Sequence, residues 1–502
     1  MPSSPSDLTR STLRGATMLM SSQGLSRLLT FVGNVLLVRS MNNNPAPLGV
    51  SSTQFHLLYI AGISFTREGL RRACLRFLSP EIKSCEDSQL RIAISLAKAY
   101  SCLSLMVFLP AALAYLVYRE EEEEDGYLFA LGLVFLGSAC EVLAEPLYLI
   151  SQTLQWFKVR SAIATLQSLV RVFTGLLLSV LLGWELKAFA AGYFMGGLAM
   201  LLAYLVVLRK EAANLVLTPI ASFRLDTELG RLAKLTTIQS SWKVLLSEGE
   251  SLLLLTTVSS AENRGAFAIA AGLGSIAARL ILQPCEEAAF TLFGKLDSVL
   301  DLFPVLLRAA QVFGGFFACL GVNYTQTLVS MLYGPTLTEQ TATWVSWYCV
   351  FIAVCAVNGI SEALLQAKID EKETKEFNLW LLACSVLFLM LANFWLVPLL
   401  GSGGLIVANT LVMGIRIARN LQFALSHVDG LRAEHLIVPW PVAVGFIMSF
   451  VLTKYSSTEF SQVTHVGLGC VLGLIQLGLV WALDKELVAT LGSSRGGKEK
   501  LT

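Results

Sequence analysis

Apolar runs of about 20 residues, separated by short polar segments, recur along the whole chain, and each has the length a helix needs to cross a bilayer. The pattern predicts helices near 15–38, 49–66, 89–117, 127–151, 159–182, 187–208 and 232–257. It continues with 265–290, 303–323, 342–366, 377–398, 402–424, 437–454 and 464–484. The seventh is the weakest, because Lys243, Glu248 and Glu250 dilute it. The predicted fold is therefore an all-α polytopic membrane protein with about fourteen transmembrane helices. Composition agrees: of 502 residues 55% are hydrophobic and 15% charged, against about 25% charged in soluble domains. Every connection is short, which excludes a separate soluble domain.

Basic residues then assign sides. The loop after the second helix carries Arg67, Arg71, Arg72, Arg76 and Lys83, and alternate loops after it are also basic. The opposite loops hold little beyond Arg39, Arg119, Lys187, Arg264 and Lys454. The positive-inside rule puts both termini in the cytosol. The start, MPSSPSDLTRSTLRG, is polar and basic, and no small-residue cleavage site comes after it, so the first helix is expected to be retained. The acidic run Glu120 to Asp125 reads as a solvated loop on the non-cytosolic side. The sequon Asn323-Tyr324-Thr325 lies on that side but abuts the ninth helix, and it is expected to stay unmodified.

The chain also repeats. Ser21–Val38 aligns with Thr237–Leu254: Gln23 meets Gln239, Arg27 meets Lys243, Gly33 meets Gly249 and Asn34 meets Glu250. Further on Gly62 meets Gly274, Arg67 meets Arg279 and Glu145 meets Glu362. Helices one to six thus repeat as seven to twelve, with two helices appended. An even number of spans per repeat keeps both halves in the same orientation, related by a pseudo-two-fold axis along the membrane normal. The organisation expected is an N-lobe over 1–210, a cytosolic linker over 211–231, a C-lobe over 232–424, two extra helices over 425–485 and a cytosolic tail over 486–502. Such repeats place a substrate between lobes, near the midplane.

Polar residues inside these spans are the candidate chemistry. In the eighth helix Gly272, Ser275, Arg279, Gln283 and Glu286 share a stripe at 100° per residue, with Glu287 beside it. The first helix aligns Gln23, Arg27, Thr30 and Asn34; the seventh aligns Gln239, Lys243, Ser247 and Glu250. Charges in a membrane cost several kcal/mol unless they face water or a partner. Two readings stay open: interhelical ion pairs, or a cationic wall of Arg27, Arg67, Lys243 and Arg279 that attracts a diphosphate. Glu145, Glu248, Glu250, Glu286, Glu287 and Glu362 supply counter-charge in either case. For Arg67, Arg71 and Arg72 a third reading is an ordinary cytosolic snorkelling position.

Enzymatic chemistry finds no footing. There is no nucleotide-binding G-x-x-x-x-G-K-[ST] loop, no G-x-S-x-G elbow and no clustered histidines. The ten cysteines show no C-x-x-C or metal-ligand spacing. No cofactor or metal is expected.

Several stretches then resemble signatures of the Rft family: FTREGLRRACLRF (65–77), AEPLYLISQ (144–152), LSEGE (246–250), LGSIAARLILQPCEEA (273–288), AVNGISE (356–362) and GSGGLIVANTLVMGIRI (401–417). The resemblance runs in order along nearly the whole chain. It implies the fold of the multidrug/oligosaccharidyl-lipid/polysaccharide exporter superfamily. It also implies an endoplasmic reticulum flippase for protein N-glycosylation, whose partner is the dolichyl-diphosphate-linked chitobiose-pentamannose lipid. The alternatives are a non-transporting accessory protein for the same lipid and an ion-coupled antiporter. The tail, with Lys498 and Lys500, resembles a dilysine retrieval signal for that membrane.

Overall fold

The computed structural model describes residues 24, 28–41, 44–64, 67, 70–71, 73–74, 88–118, 126–154, 156–209, 229–231, 233–234, 237, 248–258, 260–295, 299–334 and 339–485. These residues are helical wherever they are regular, with no strand among them. The helices are α1 (Leu28–Ser40), α2 (46–64), α3 (Gln89–Tyr118), α4 (Tyr127–Thr153), α5 (Phe157–Leu182), α6 (Leu186–Val207) and α7 (Gly249–Thr257). They continue with α8 (Ala261–Gly294), α9 (Leu302–Tyr333), α10 (Glu339–Lys368), α11 (Lys372–Leu400), α12 (Gly403–His427), α13 (Trp440–Glu459) and α14 (Gln462–Leu483). Among the described residues ten helices are long and apolar enough to cross a membrane: α3 to α6, α8 to α11, α13 (counted from Ala433) and α14. Each overlaps a segment predicted from the apolar pattern. The chain is thus an all-helical, multi-pass membrane protein.

Contacts divide the chain into two compact units, Met1–Gly265 and Ala266–Thr502. In the first, α4 is the central element, packed on α2, α3 and α6. A methyl on Gly197 would lie 2.3 Å from the carbonyl oxygen of Gly137, so only glycine lets α4 and α6 approach this closely. Leu90, Ile94, Leu147, Ile150, Met200 and Tyr204 fill the adjoining core. Pro146 lies inside α4 and deprives the carbonyl of Val142 of its helical donor. Ser101 Oγ donates to that carbonyl at 3.1 Å instead, so this backbone acceptor is not left bare.

The second unit repeats this plan around α10, which packs on α8, α9 and α12. Phe293, Phe303, Leu307, Ile360 and Leu364 belong to one of its cores. The last two helices form a hairpin docked on α9 through Val305, Val442, Phe446 and Val480, with a buried Arg308–Asp484 pair at 3.2 Å.

Among the described residues, wide π-helical turns occur at Ser51–Phe55, Ser104–Phe108, Ala278–Leu282, Phe316–Gly321 and Ala392–Leu396. Three of these end two residues before a proline: Pro110, Pro284 and Pro398. In a regular helix each proline ring would clash with the carbonyl four residues earlier, and the wider turn relieves that clash. The sequence places the prolines; the π turns are how the chain tolerates them within its spans.

The sequon residue Asn323 is engaged on α9. Its Nδ2 donates to Phe450 O at 3.0 Å and to Thr453 Oγ1 at 2.8 Å, tying α9 to α13. Glycosylation needs that nitrogen free and the segment extended. Digestion of the purified protein with a peptide N-glycosidase is expected to leave its gel mobility unchanged; a downward shift would show that Asn323 carries glycan.

Candidate functional site

In the first unit two carboxylates, four residues apart on α4, project from one face: Glu141 and Glu145, each 3% exposed. Arg67 bridges them, with Nε donating to Glu145 Oε1 at 2.7 Å and Nη2 to Glu141 Oε2 at 2.5 Å. Its Nη1 donates to Tyr59 OH at 3.0 Å, and that hydroxyl donates to Glu141 at 2.8 Å. Arg71 grips Glu145 through both oxygens, Nη2 lying 2.7 Å from each. Gln167 from α5 completes the coordination of Glu141. Planar guanidinium forks match planar carboxylates, which makes this a set of strong, charge-assisted bonds.

Two further arginines on α5 approach the same group. Arg160 lies over the Tyr148 ring at 4.8 Å, on which Arg71 also rests at 3.5 Å; Arg171 lies over Tyr193 at 3.4 Å. Among the described residues neither Arg160 nor Arg171 pairs with a carboxylate. Ring quadrupoles partly replace that missing charge. The first unit therefore sets two arginines on two buried glutamates and two more on the neighbouring tyrosine rings.

The second unit holds the counterpart on α10. Glu362, 6% exposed, accepts from Asn358 Nδ2 at 3.0 Å and Gln366 Nε2 at 2.9 Å. Arg416 Nη2 from α12 also donates to it. Asn420 extends the network to Ser361 Oγ at 3.3 Å. Glu286, half-buried on α8, points its carboxylate at Gly359, where an added methyl would come within 3.2 Å of Oε2.

The stripe on α8 behaves differently. Arg279, Gln283 and Glu287 are not covered by protein, and a methyl on Gly272 would meet nothing within 4 Å. Gln283 Nε2 donates to Glu287 Oε1 at 3.0 Å. No hydrogen bond or ion pair joins Arg279 to any described residue. Arg279 sits in the π turn Ala278–Leu282, so the face does not advance at a uniform 100° per residue. The wider turn rotates the C-terminal half of the helix, leaving Glu287 open and turning Glu286 inward.

Of the other candidates, Gln23, Arg27, Gln239, Lys243, Lys498 and Lys500 lie outside the described residues. Asn34 is half-buried on α1, and Glu250 is half-buried in the first turn of α7. Glu248 is bonded to His56 Nε2 at 2.9 Å. The aligned pair Arg67 and Arg279 thus occupies different environments, one locked between carboxylates and one open. The aligned pair Glu145 and Glu362 shares one environment.

Sequence reasoning passed over Glu141, Arg160, Arg171, Asn358, Arg416 and Asn420. A signal for two of them was present. Glu141 precedes Glu145 by four residues, Asn358 precedes Glu362 by four, and the repeat lays one over the other.

Known structures share this helical fold. The lipid II flippase MurJ, in an inward closed conformation, matches with a TM-score of 0.63 at 12% identity, over 93% of this chain and 99% of that one. An inward-facing multidrug resistance transporter of the MATE family, from the MOP superfamily, matches with a TM-score of 0.55 at 13% identity, over 81% and 96%. The fold is that of this transporter class. Within it the chain belongs to the Rft family, whose model, described as Rft protein, matches residues 11–493. Relatives named Man(5)GlcNAc(2)-PP-dolichol translocation protein RFT1 include that of Dictyostelium discoideum, 25% identical over 91% of this chain and 90% of its own length. Those of Mus musculus (25%; 94% and 95%) and Caenorhabditis elegans (27%; 91% and 92%) are similar.

Proposed function

We propose that the protein is a flippase that moves the dolichyl-diphosphate-linked chitobiose-pentamannose lipid from the cytosolic to the lumenal leaflet of the endoplasmic reticulum, for N-glycosylation. The observation that carries this reading is the Rft match across residues 11–493, joined to full-length relatives named for that translocation. It acts as a transporter and not as an enzyme.

Fourteen spans, two six-helix lobes and two appended helices, with both termini cytosolic, complete the proposed architecture. Its boundaries are 1–210, 211–231, 232–424, 425–485 and 486–502, and Lys498 and Lys500 return the protein to its membrane. Arg279, uncovered on α8, meets the diphosphate as the lipid passes, together with Arg27 and Lys243. Gln283 and Glu287 keep that face wet, and Gln23, Asn34, Gln239, Glu248, Glu250 and Glu286 are the other polar candidates for contact with the lipid. Arg67 and Glu145, and likewise Glu362, hold the frame; their charges are spent on each other. No nucleotide-binding loop is present, so transport runs downhill, drawn by consumption of the product in the lumen.

The test is translocation of the pentamannosyl lipid by purified protein in liposomes, read by access of a mannose-binding lectin to the outer leaflet. Protein-containing vesicles are expected to equilibrate the lipid far faster than empty ones. Equal rates, with a genetic requirement for the protein intact, would instead make it an accessory factor for the same lipid.

A further inference from the structure

We infer that a polar pocket at one end of the second unit is a binding site for a neutral sugar ring. Four helix ends converge there: the last turns of α9 and α13 and the first turns of α10 and α14. They enclose a cavity of about 330 Å³, at the lower end of the usual range for small-molecule pockets. The proposed topology puts this end in the lumen.

The lining decides the ligand class. Its polar lining includes Gln326, Thr327, Ser330, Glu339, Gln462 and His465. Among the described residues neither lysine nor arginine lines it, so none of these answers a phosphate. The side chains of Gln326, Thr327, Glu339 and Gln462 make no hydrogen bond to any described residue. They offer amide donors, amide and carboxylate acceptors and a hydroxyl, the mixture that adjoining sugar hydroxyls require. Phe460, 54% exposed at the rim, adds the apolar face on which the C–H side of a pyranose rests.

A metal ion does not suit the same residues. Both imidazole nitrogens of His465 are engaged, Nδ1 with Ser456 Oγ at 2.6 Å and Nε2 with the Asn323 carbonyl at 3.2 Å. That leaves Glu339 as the pocket's one charged oxygen donor. His465 instead stiffens the floor, stacked on Tyr324 at 4.1 Å, with its carbonyl accepting from Tyr324 OH at 2.8 Å. A floor fixed this way holds the walls apart with or without ligand. The two appended helices thereby gain a task, because α13 and α14 build half of the pocket. The identity of the sugar, a residue of the lipid's chitobiose-pentamannose head, rests on the proposed function; the pocket's preference for a neutral polyol does not.

The experiment is saturation-transfer NMR on the full-length protein in nanodiscs. The probe is the free heptasaccharide, with chitobiose and inorganic pyrophosphate as comparators. The wild type should bind the glycan saturably, and pyrophosphate should not compete. Gln326→Ala with Gln462→Ala should weaken binding about tenfold or more, as expected for two lost hydrogen bonds, at an unchanged melting temperature. Phe460→Ala, at an exposed site, should weaken it separately. Absence of saturable binding, competition by pyrophosphate, or equal binding by these variants would overturn the assignment. Flipping without glycan binding defeats the pocket and leaves the flippase standing; binding without flipping does the reverse.

Discussion

Glu145→Ala is expected to collapse the first unit, with little folded protein recovered after detergent extraction. The glutamate is buried and receives three guanidinium nitrogens, one from Arg67 and two from Arg71. Among the described residues its removal leaves Arg71 with the Tyr148 ring and Arg67 with Glu141 and Tyr59. Breaking one side of a buried pair costs about 3–5 kcal/mol, because the remaining charge stays desolvated. That is a large part of the roughly 5–15 kcal/mol that holds a typical domain folded. Glu145→Gln keeps the shape and two acceptor lone pairs, and should fall between alanine and the wild type. Adding Arg71→Met to Glu145→Ala removes the stranded cation and should recover part of the loss. Size-exclusion chromatography after a heating series measures all four proteins. If Glu145→Ala melted where the wild type does, the network would not be structural, and Arg67 and Arg71 would return as candidates for substrate contact.

That network shows what sequence patterns carry and what they omit. Ten of the spans could be read from apolar length alone, because a bilayer demands about 20 apolar residues whatever packs around them. The alignment of Glu145 with Glu362 was visible as well, and both are buried carboxylates that accept from an arginine. The partners were not visible. Glu362 takes its cation from Arg416 on α12, whereas Glu145 takes two from Arg67 and Arg71, which follow α2 in the chain, and no spacing within one helix reveals which neighbour delivers the charge. The same limit explains the aligned pair Arg67 and Arg279. With Arg416 already on Glu362, the second unit has no need of Arg279 as a structural cation. A further gap is helical phase. The Ala278–Leu282 π turn rotates the second half of the α8 stripe, and the one sequence hint of it was Pro284. The sugar pocket was hidden for another reason: its walls come from four helix ends far apart in sequence.

Arg279→Ala is expected to slow transport strongly while the protein is made and folds as usual, because this arginine is joined to no described residue. Substituting an uncovered side chain with no partner changes stability by about 0.5 kcal/mol or less. A guanidinium that meets a diphosphate contributes through charge-assisted bonds of about 1.5–3 kcal/mol, so its loss should slow translocation by about ten- to a hundredfold. Arg279→Lys keeps the charge but loses the planar fork, and should retain part of the rate. Gln283→Ala, one turn further along the same open face, should slow transport less, because it removes a neutral group. The measurement sets lectin access to the pentamannosyl lipid in liposomes beside a melting curve for each variant. A variant that melts normally and does not transport identifies Arg279 as a substrate contact. A variant that melts early would mean that the open face of α8 is held by residues outside those described, and the diphosphate contact would have to be sought at Arg27 and Lys243. Full transport by Arg279→Ala would remove the arginine from the pathway. Glu145 and Arg279 are two charged residues in similarly apolar stretches of sequence, one expected to fail in folding and the other in function, because one charge is answered by the protein and the other is left for the substrate.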